Sequence, residues 1–357
     1  MTGLYIHIPI CASKCCYCDF VSMPMGRQMR SRYIDALEQE IAARTANTEI
    51  GTIYIGGGNP LSLECDELER VLIASRVTDN VREFSIEANP ESMTDAKAAI
   101  LTKHGISRVS LGLQTHDDTI LTHIGRRHNY SDFVSAVYAI QRVGIHNISC
   151  DIMLGLPNQS LESVVASVNY AIDLGVKHIS AYGLKVEEGT PLYKTRYEPC
   201  SELQADMYAA VSDILTASGY ARYEISNFAQ RGFECKHNML YWELEPYIGC
   251  GLAAHSLVRT RRSNTTNLTK YIAGDIIDTE EKEPPDATEY IMLKLRLSTG
   301  LDLTELNDKY GLDLAKTKKS AINRLICSGM IMLQDNTIRI TSDKQYISNS
   351  IILQLID

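Results

Sequence analysis

The sequence predicts an α/β fold of parallel βα units, arranged as a barrel or an open partial barrel and followed by a small module of different character. Three observations carry this. Short β-type runs alternate six times with helical stretches. Most of the runs are near-continuously apolar, as strands covered on both faces are. Beyond residue 255 the alternation breaks. Six units within residues 4–218 fit a barrel better than a three-layer sandwich.

The runs are LYIHIP (4–9), TIYIG (52–56), EFSIEA (83–88), RVSLGLQ (108–114), NISCDIML (147–154) and HISAYGL (178–184). Helical stretches lie at 28–45, 64–76, 93–104, 131–143, 161–174 and 201–218. Ser131-Asp132, and Ser160 with Glu162 and Ser163, read as N-terminal caps. Gly105, Gly144, Gly175 and Gly219 read as C-terminal stops. Residues 1–255 thus form the barrel unit. Residues 256–285 read as an irregular linker, polar in RTRRSNTTNLTKYIAGD and charged and proline-broken in DTEEKEPPD. Residues 286–357 predict helices near 286–297, 303–310 and 314–328, then a hairpin at MIMLQ-DNT-IRIT. That is a C-terminal helical, winged-helix-like domain.

Winged helices often bind DNA, but residues 256–357 hold 14 Lys and Arg against 14 Asp and Glu. A module with no basic excess is a poor reader of nucleic acid, and the whole chain carries −9. No apolar run approaches the roughly 20 residues that span a bilayer, so no transmembrane segment is expected. MTGLYIHIPIC has neither the basic start nor the apolar stretch of a secretion signal. These features together predict a cytoplasmic protein.

In a reducing compartment, ten cysteines read as thiols or metal ligands. Cys65, Cys150, Cys200, Cys235, Cys250 and Cys327 are scattered and read as small buried hydrophobes. Cys11, Cys15, Cys16 and Cys18 are clustered, and contain C-x3-C-x2-C directly after the first strand. The C-terminal ends of barrel strands are where such folds place their chemistry. A fully ligated cubane takes four cysteines. Three leave one iron open to chelate the amino and carboxylate groups of S-adenosyl-L-methionine, as in a radical SAM site. Electron transfer into the sulfonium there yields a 5′-deoxyadenosyl radical. The competing reading is structural zinc on the four clustered cysteines, or on three of them with His7. Zinc usually pairs two separated C-x2-C knuckles, and no second knuckle is present. Cys16 departs from the x3/x2 spacing and is read as no ligand.

Gly56-Gly57-Gly58-Asn59-Pro60 follows the second strand, where bare backbone can approach a ligand. Glu87 ends the third strand, Gln114 ends the fourth and Asp151 lies in the fifth. Polar groups in apolar strands are costly to bury without partners. Any one of them could be structural; three at equivalent positions point to a shared mouth. Arg126, in IGRRH, suits a ligand carboxylate.

LYIHIPICASKCCYCDF, YIGGGNP, IEANPE, RVSLGLQTHDDTILTHIGRRH, DIMLGLPNQS, HISAYGLKVEEGTPLY and YEISNFA…KHNMLYW together resemble the HemW-type heme chaperones. These are radical SAM relatives of the oxygen-independent coproporphyrinogen III oxidases. The resemblance covers nearly the whole chain. It implies a partial (β/α)6 barrel with a C-terminal accessory domain. It implies that Cys11, Cys15 and Cys18 ligate a [4Fe-4S] cluster, and that Tyr5, Gly57, Gly58, Asn59, Glu87, Gln114, Arg126 and Asp151 contact S-adenosylmethionine. His237, in HNMLYW, becomes a candidate heme ligand; by residue type alone it reads as a helix-start or core histidine. The family usually has Thr at Asn59, a hydroxyl residue near Leu61, Phe at His116, Tyr at Leu154 and Gly at Asn158, so this chain's pocket differs in detail.

Two functions follow. One is heme binding and delivery to a client protein. The other is radical decarboxylation of coproporphyrinogen III. Similar decarboxylases carry Gly-Cys after the third ligand, where Asp19-Phe20 stands, and an N-terminal extension before the first strand. Both differences, with HNMLYW, favour the chaperone and disfavour the enzyme. A zinc-stabilised α/β binding protein ranks below both. The implied partners are heme, a heme-accepting client protein and an electron donor for the cluster. A second copy, as a homodimer, is a further candidate partner.

Overall fold

A computed structural model describes residues 1–77 and 80–356. Six strands pair in sequence order, all parallel: β1 (Thr2–Ile8), β2 (Ile50–Gly57), β3 (Glu83–Ala88), β4 (Arg108–Gln114), β5 (Asn147–Leu154) and β6 (His178–Gly183). Between and after them run α1 (Arg27–Thr45), α2 (Cys65–Ser75), α3 (Asp95–Lys103), α4 (Asp118–His123), α5 (Tyr130–Arg142), α6 (Leu161–Asp173), α7 (Pro191–Lys194) and α8 (Ser201–Ala217). Leu4, Ile6, Ile53, Ile55, Ile86, Val109, Leu111, Ile152 and Ile179 are buried together with the inner faces of the helices. Each such side chain contributes about 1.5–3 kcal/mol on leaving water.

Caps set several helix boundaries. Ser160 begins α6 by accepting from Ser163 N at 3.2 Å, at the expected position. Helix α5 starts one residue earlier than the sequence suggests. Asn129 and Asp132 form a reciprocal capping box there, each side chain accepting the other's backbone N–H.

The sheet continues past both ends of the six-strand set. A hairpin of β7 (Ala221–Glu224) and β8 (Asn227–Ala229) adds antiparallel to β6. On the other side β9 (Tyr247–Cys250) adds parallel to β1. Then β10 (His255–Leu257), β11 (Arg261–Asn264) and β12 (Ile277–Glu280) follow antiparallel. The order β12-β11-β10-β9-β1-β2-β3-β4-β5-β6-β8-β7 leaves an open partial barrel with β7 and β12 as edges. Residues 256–285 are therefore not an irregular linker. Their polar side chains belong to short strands at one end of the sheet, with β12, exposed along its length, at the edge. The expectation of buried scattered cysteines also holds only for Cys150, Cys235 and Cys250; Cys65, Cys200 and Cys327 are exposed.

The C-terminal unit has its own core, including Tyr290, Ile291, Leu306, Leu325, Ile338 and Ile351. Helices Ala287–Lys294, Leu303–Tyr310, Leu314–Thr317 and Lys319–Cys327 accompany a three-stranded sheet of β13 (Leu301–Asp302), β14 (Ile331–Gln334) and β15 (Thr337–Ile340). The arrangement is winged-helix-like. Ser298 N donating to Tyr223 O at 3.0 Å and the Tyr346 hydroxyl donating to Gln204 Oε1 at 2.9 Å tie it to the barrel. Among the described residues no helix is long and apolar enough to cross a membrane.

Candidate functional site

A cavity of about 360 Å³ occupies the barrel lumen. Cys11, Cys15, Cys18, Gly57, Gly58, Glu87, Gln114, Arg126 and Asp151 all line it. The loop after β1 brings in the three thiols, each half-buried. Burial pushes the Cys11 thiol up to about 11 and raises Cys18, so taking up a metal there must displace protons. Among the described residues no three His, Cys, Asp or Glu groups converge on a single-ion position. His7 is not free to complete a zinc site: its Nε2 is 2.9 Å from Val21 O and its Nδ1 3.0 Å from the Tyr5 hydroxyl.

The glycine run explains itself sterically. A Cβ at Gly56 would stand 2.9 Å from Glu87 Cδ. One at Gly57, where φ is +113°, would stand 2.7 Å from the His7 ring, and one at Gly58 2.7 Å from Ile10 O and 3.1 Å from Cys11 Sγ. The run lets the β2 loop lie against the cysteine loop and the end of β3.

Below the cysteines, Glu87 accepts from the Tyr54 hydroxyl at 2.8 Å and from Gly57 N at 3.1 Å. Burial outweighs these bonds and pushes its carboxyl up to about 7. Asp151 accepts from Ser110 Oγ at 3.3 Å, and burial raises it too. Gln114 holds φ +68° at a register shift between β4 and β5, and its Oε1 accepts from the Tyr182 hydroxyl at 2.9 Å. The Arg126 guanidinium donates to Asn89 Oδ1 at 3.0 Å and Gly112 O at 2.5 Å, and its Nη1 is 3.8 Å from Cys15 Sγ. Its Nε has no hydrogen-bond partner.

Three expected residues stand elsewhere. Tyr5 spends its hydroxyl on His7 and does not line the lumen; Tyr54, stacked beside it at 6.3 Å, does. Asn59 is buried, donates to Ser92 Oγ at 2.7 Å and accepts from Asn89 N at 3.2 Å, so it clamps two loops. His237 sits in the first turn of α9 (Lys236–Trp242), fully buried beneath the barrel. Its Nδ1 is 2.7 Å from Thr52 Oγ1 and its Nε2 2.8 Å from the Tyr241 hydroxyl, and burial lowers it to about 3. Both ring nitrogens are engaged within the fold. Its motif neighbours Asn238, Tyr241 and Trp242 line a second cavity of about 390 Å³.

Sequence reasoning missed Arg108. It is buried at the start of β4 and lines the lumen, while Nε and Nη1 lack hydrogen-bond partners. Its charge works against the burial-driven rise of both Glu87 and Asp151. A charged residue opening a strand looks solvent-facing, and only its neighbours reveal otherwise.

Comparison with known proteins gives this site its context. Residues 5–171 match the radical SAM superfamily model, and residues 285–343 the HemN C-terminal domain model. The chain is 35% identical to the heme chaperone HemW of Bacillus subtilis, over 98% of both chains. It is 32% identical to the heme chaperone HemW of Lactococcus lactis, over 97% of this chain and 95% of that one. The chain belongs to the HemW family of heme chaperones. Its backbone is similar to that of Escherichia coli coproporphyrinogen III oxidase, HemN, described as a radical SAM enzyme. The TM-score is 0.85 at 19% identity, covering 99% of this chain and 90% of that one. A likeness at that identity speaks for the fold, so within the HemW family the chemistry must be argued from the lumen. Membership of the radical SAM superfamily implies a [4Fe-4S] cluster and S-adenosylmethionine.

Proposed function

We propose that this protein is a heme chaperone: it binds heme, passes it to a client protein, and carries a [4Fe-4S] cluster with S-adenosylmethionine in the barrel lumen. The observation that carries the cofactor assignment is the convergence of three half-buried thiols, two carboxyls and two guanidiniums on one cavity. On this reading Cys11, Cys15 and Cys18 would hold the cluster at the cavity they line. Bound there, the cluster supplies one-electron reduction of a sulfonium. Arg126, between Cys15 and Asn89, receives the methionyl carboxylate through the guanidinium edge whose Nε is unpartnered. Glu87 and Asp151 accept from ammonium or ribose hydroxyl groups, and Gln114, held in place by Tyr182, does the same. Gly57 and Gly58 keep the backbone close to the cysteines. Tyr5 and Asn59 act behind this layer, positioning His7 and the β3 loop.

The heme-delivery half rests on family membership and on identity spread over the whole chain. The decarboxylase alternative rests on a shared fold at 19% identity. The cofactor assignment is tested by anaerobic reconstitution with iron and sulfide, followed by iron analysis and EPR. Single Cys→Ala changes at positions 11, 15 and 18 are expected to abolish the cluster signal, and Cys16→Ala to preserve it. A colourless protein that takes up zinc and no iron would refute the assignment.

A further inference from the structure

A cleft of about 750 Å³ opens beside the cysteine loop, on the outer side of the C-terminal ends of β5 and β6. Leu184, Lys185 and Val186 form one wall, and α7 with the loop leading to α8 forms the other. The floor is rigid. Gln204 Nε2 donates to Leu154 O at 3.1 Å and Leu184 O at 2.9 Å, and the Tyr197 hydroxyl donates to Gly155 O at 3.0 Å. The cleft also touches the cluster loop. Leu192 N donates to Cys16 O at 2.8 Å, and Cys16 and Tyr17 pack into one apolar group with Leu184, Val186 and Tyr197.

The charge of this cleft is opposite to that of the molecule. Lys185, Lys194 and Arg196 face one carboxylate, Glu198, in a chain of net charge −9. Lys185 is paired with Glu187 at 2.5 Å, whereas Lys194 and Arg196 enter no salt bridge among the described residues. Tyr193, 49% exposed, offers a phenol whose hydroxyl has no hydrogen bond among the described residues. The cavity at α9 has neither feature: it is about half the size, its Glu224 adds a carboxyl, and its Arg261 is paired with Glu289.

We propose that heme docks in this cleft and not on the α9 motif. Two free cations meet the two propionates, and Leu184, Val186, Pro199 and Tyr197 cover the macrocycle. Tyr193 supplies a phenolate oxygen to ferric iron, releasing its proton to solvent. This rests on the heme-chaperone reading and gives that reading a location. Cys16 gains a role as well, because its carbonyl fastens the cleft wall to the cluster loop.

The test is titration of the reconstituted full chain with ferric heme, followed by the Soret band. The Lys194→Glu/Arg196→Glu double variant is expected to weaken binding by roughly tenfold or more. Tyr193→Phe, nearly isosteric and partly exposed, is expected to move the Soret maximum while cluster iron content stays at the wild-type level. Trp242→Ala, in the α9 motif, is expected to change heme affinity by less than about threefold. Unchanged affinity and spectrum in the cleft variants, with loss in Trp242→Ala, would overturn the location alone. A wild-type chain that takes up no heme would overturn the chaperone reading itself.

Discussion

Glu87 gives the lumen a pH dependence at the scale of a single residue. Its carboxyl is pushed up to about 7 by burial, against hydrogen bonds from Tyr54 and Gly57. A folded-state value above the unfolded one near 4.3 means that the protonated form is the more stable one in the folded apo protein. That stability is present below about pH 4.3 and is lost as the pH rises towards 7. Ligand binding runs the other way, because the ionised carboxylate is the better partner for a cationic ligand. S-adenosylmethionine affinity is therefore expected to rise through about pH 7 in anaerobic equilibrium dialysis. Glu87→Gln should flatten the profile. Arg108→Met should move its midpoint upward, since the Arg108 charge holds Glu87 down. A wild-type profile with no inflection between about pH 6 and 8 would contradict this assignment.

Among the elements, α9 shows how a side chain at the foot of one strand can place a helix. Glu83, at the start of β3, accepts from Lys236 N at 3.0 Å and His237 N at 3.1 Å. It supplies the cap that Cys235, at the N-cap position, does not. Glu83→Ala is expected to cost about 1–2 kcal/mol in urea unfolding, the usual loss for a cap, and Glu83→Gln less. An unchanged midpoint would mean that α9 is held by packing alone. The same element marks where sequence reading stopped. The six apolar, β-branched runs were legible because strands covered on both faces leave continuous hydrophobic text. The three- and four-residue strands ARYE, NFA and RRSN carry no such text, since pairing of such short strands rests on backbone bonds. That Cys11, Cys15, Cys18, Glu87, Gln114 and Asp151 share one mouth was legible because they lie in, end or directly follow strands whose direction was readable, whereas Arg126 follows α4 and was singled out by its residue type. That Tyr5, Asn59 and His237 turn their side chains to partners outside the lumen was not legible, because a motif identifies a residue type and not the way its side chain points. Arg108 escaped because burial of a charge is a tertiary fact.

In the whole molecule, the two ends of the barrel do different work. Cysteines and polar strand ends gather at one end, α9 with Glu83, Thr52 and His237 plugs the other, and the winged-helix-like unit docks beside the β7 hairpin. The negative charge of the chain leaves the cleft near the cysteine loop as a local cationic exception. On the heme-chaperone reading this frame handles heme without remaking a tetrapyrrole. One reconstituted, cluster-containing sample decides between handling and remaking. It is titrated with heme and, in parallel, incubated anaerobically with coproporphyrinogen III, S-adenosylmethionine and a reductant. Saturable heme binding with no protoporphyrinogen IX formed is the expected result; conversion of coproporphyrinogen III by the pure protein would make it a decarboxylase instead.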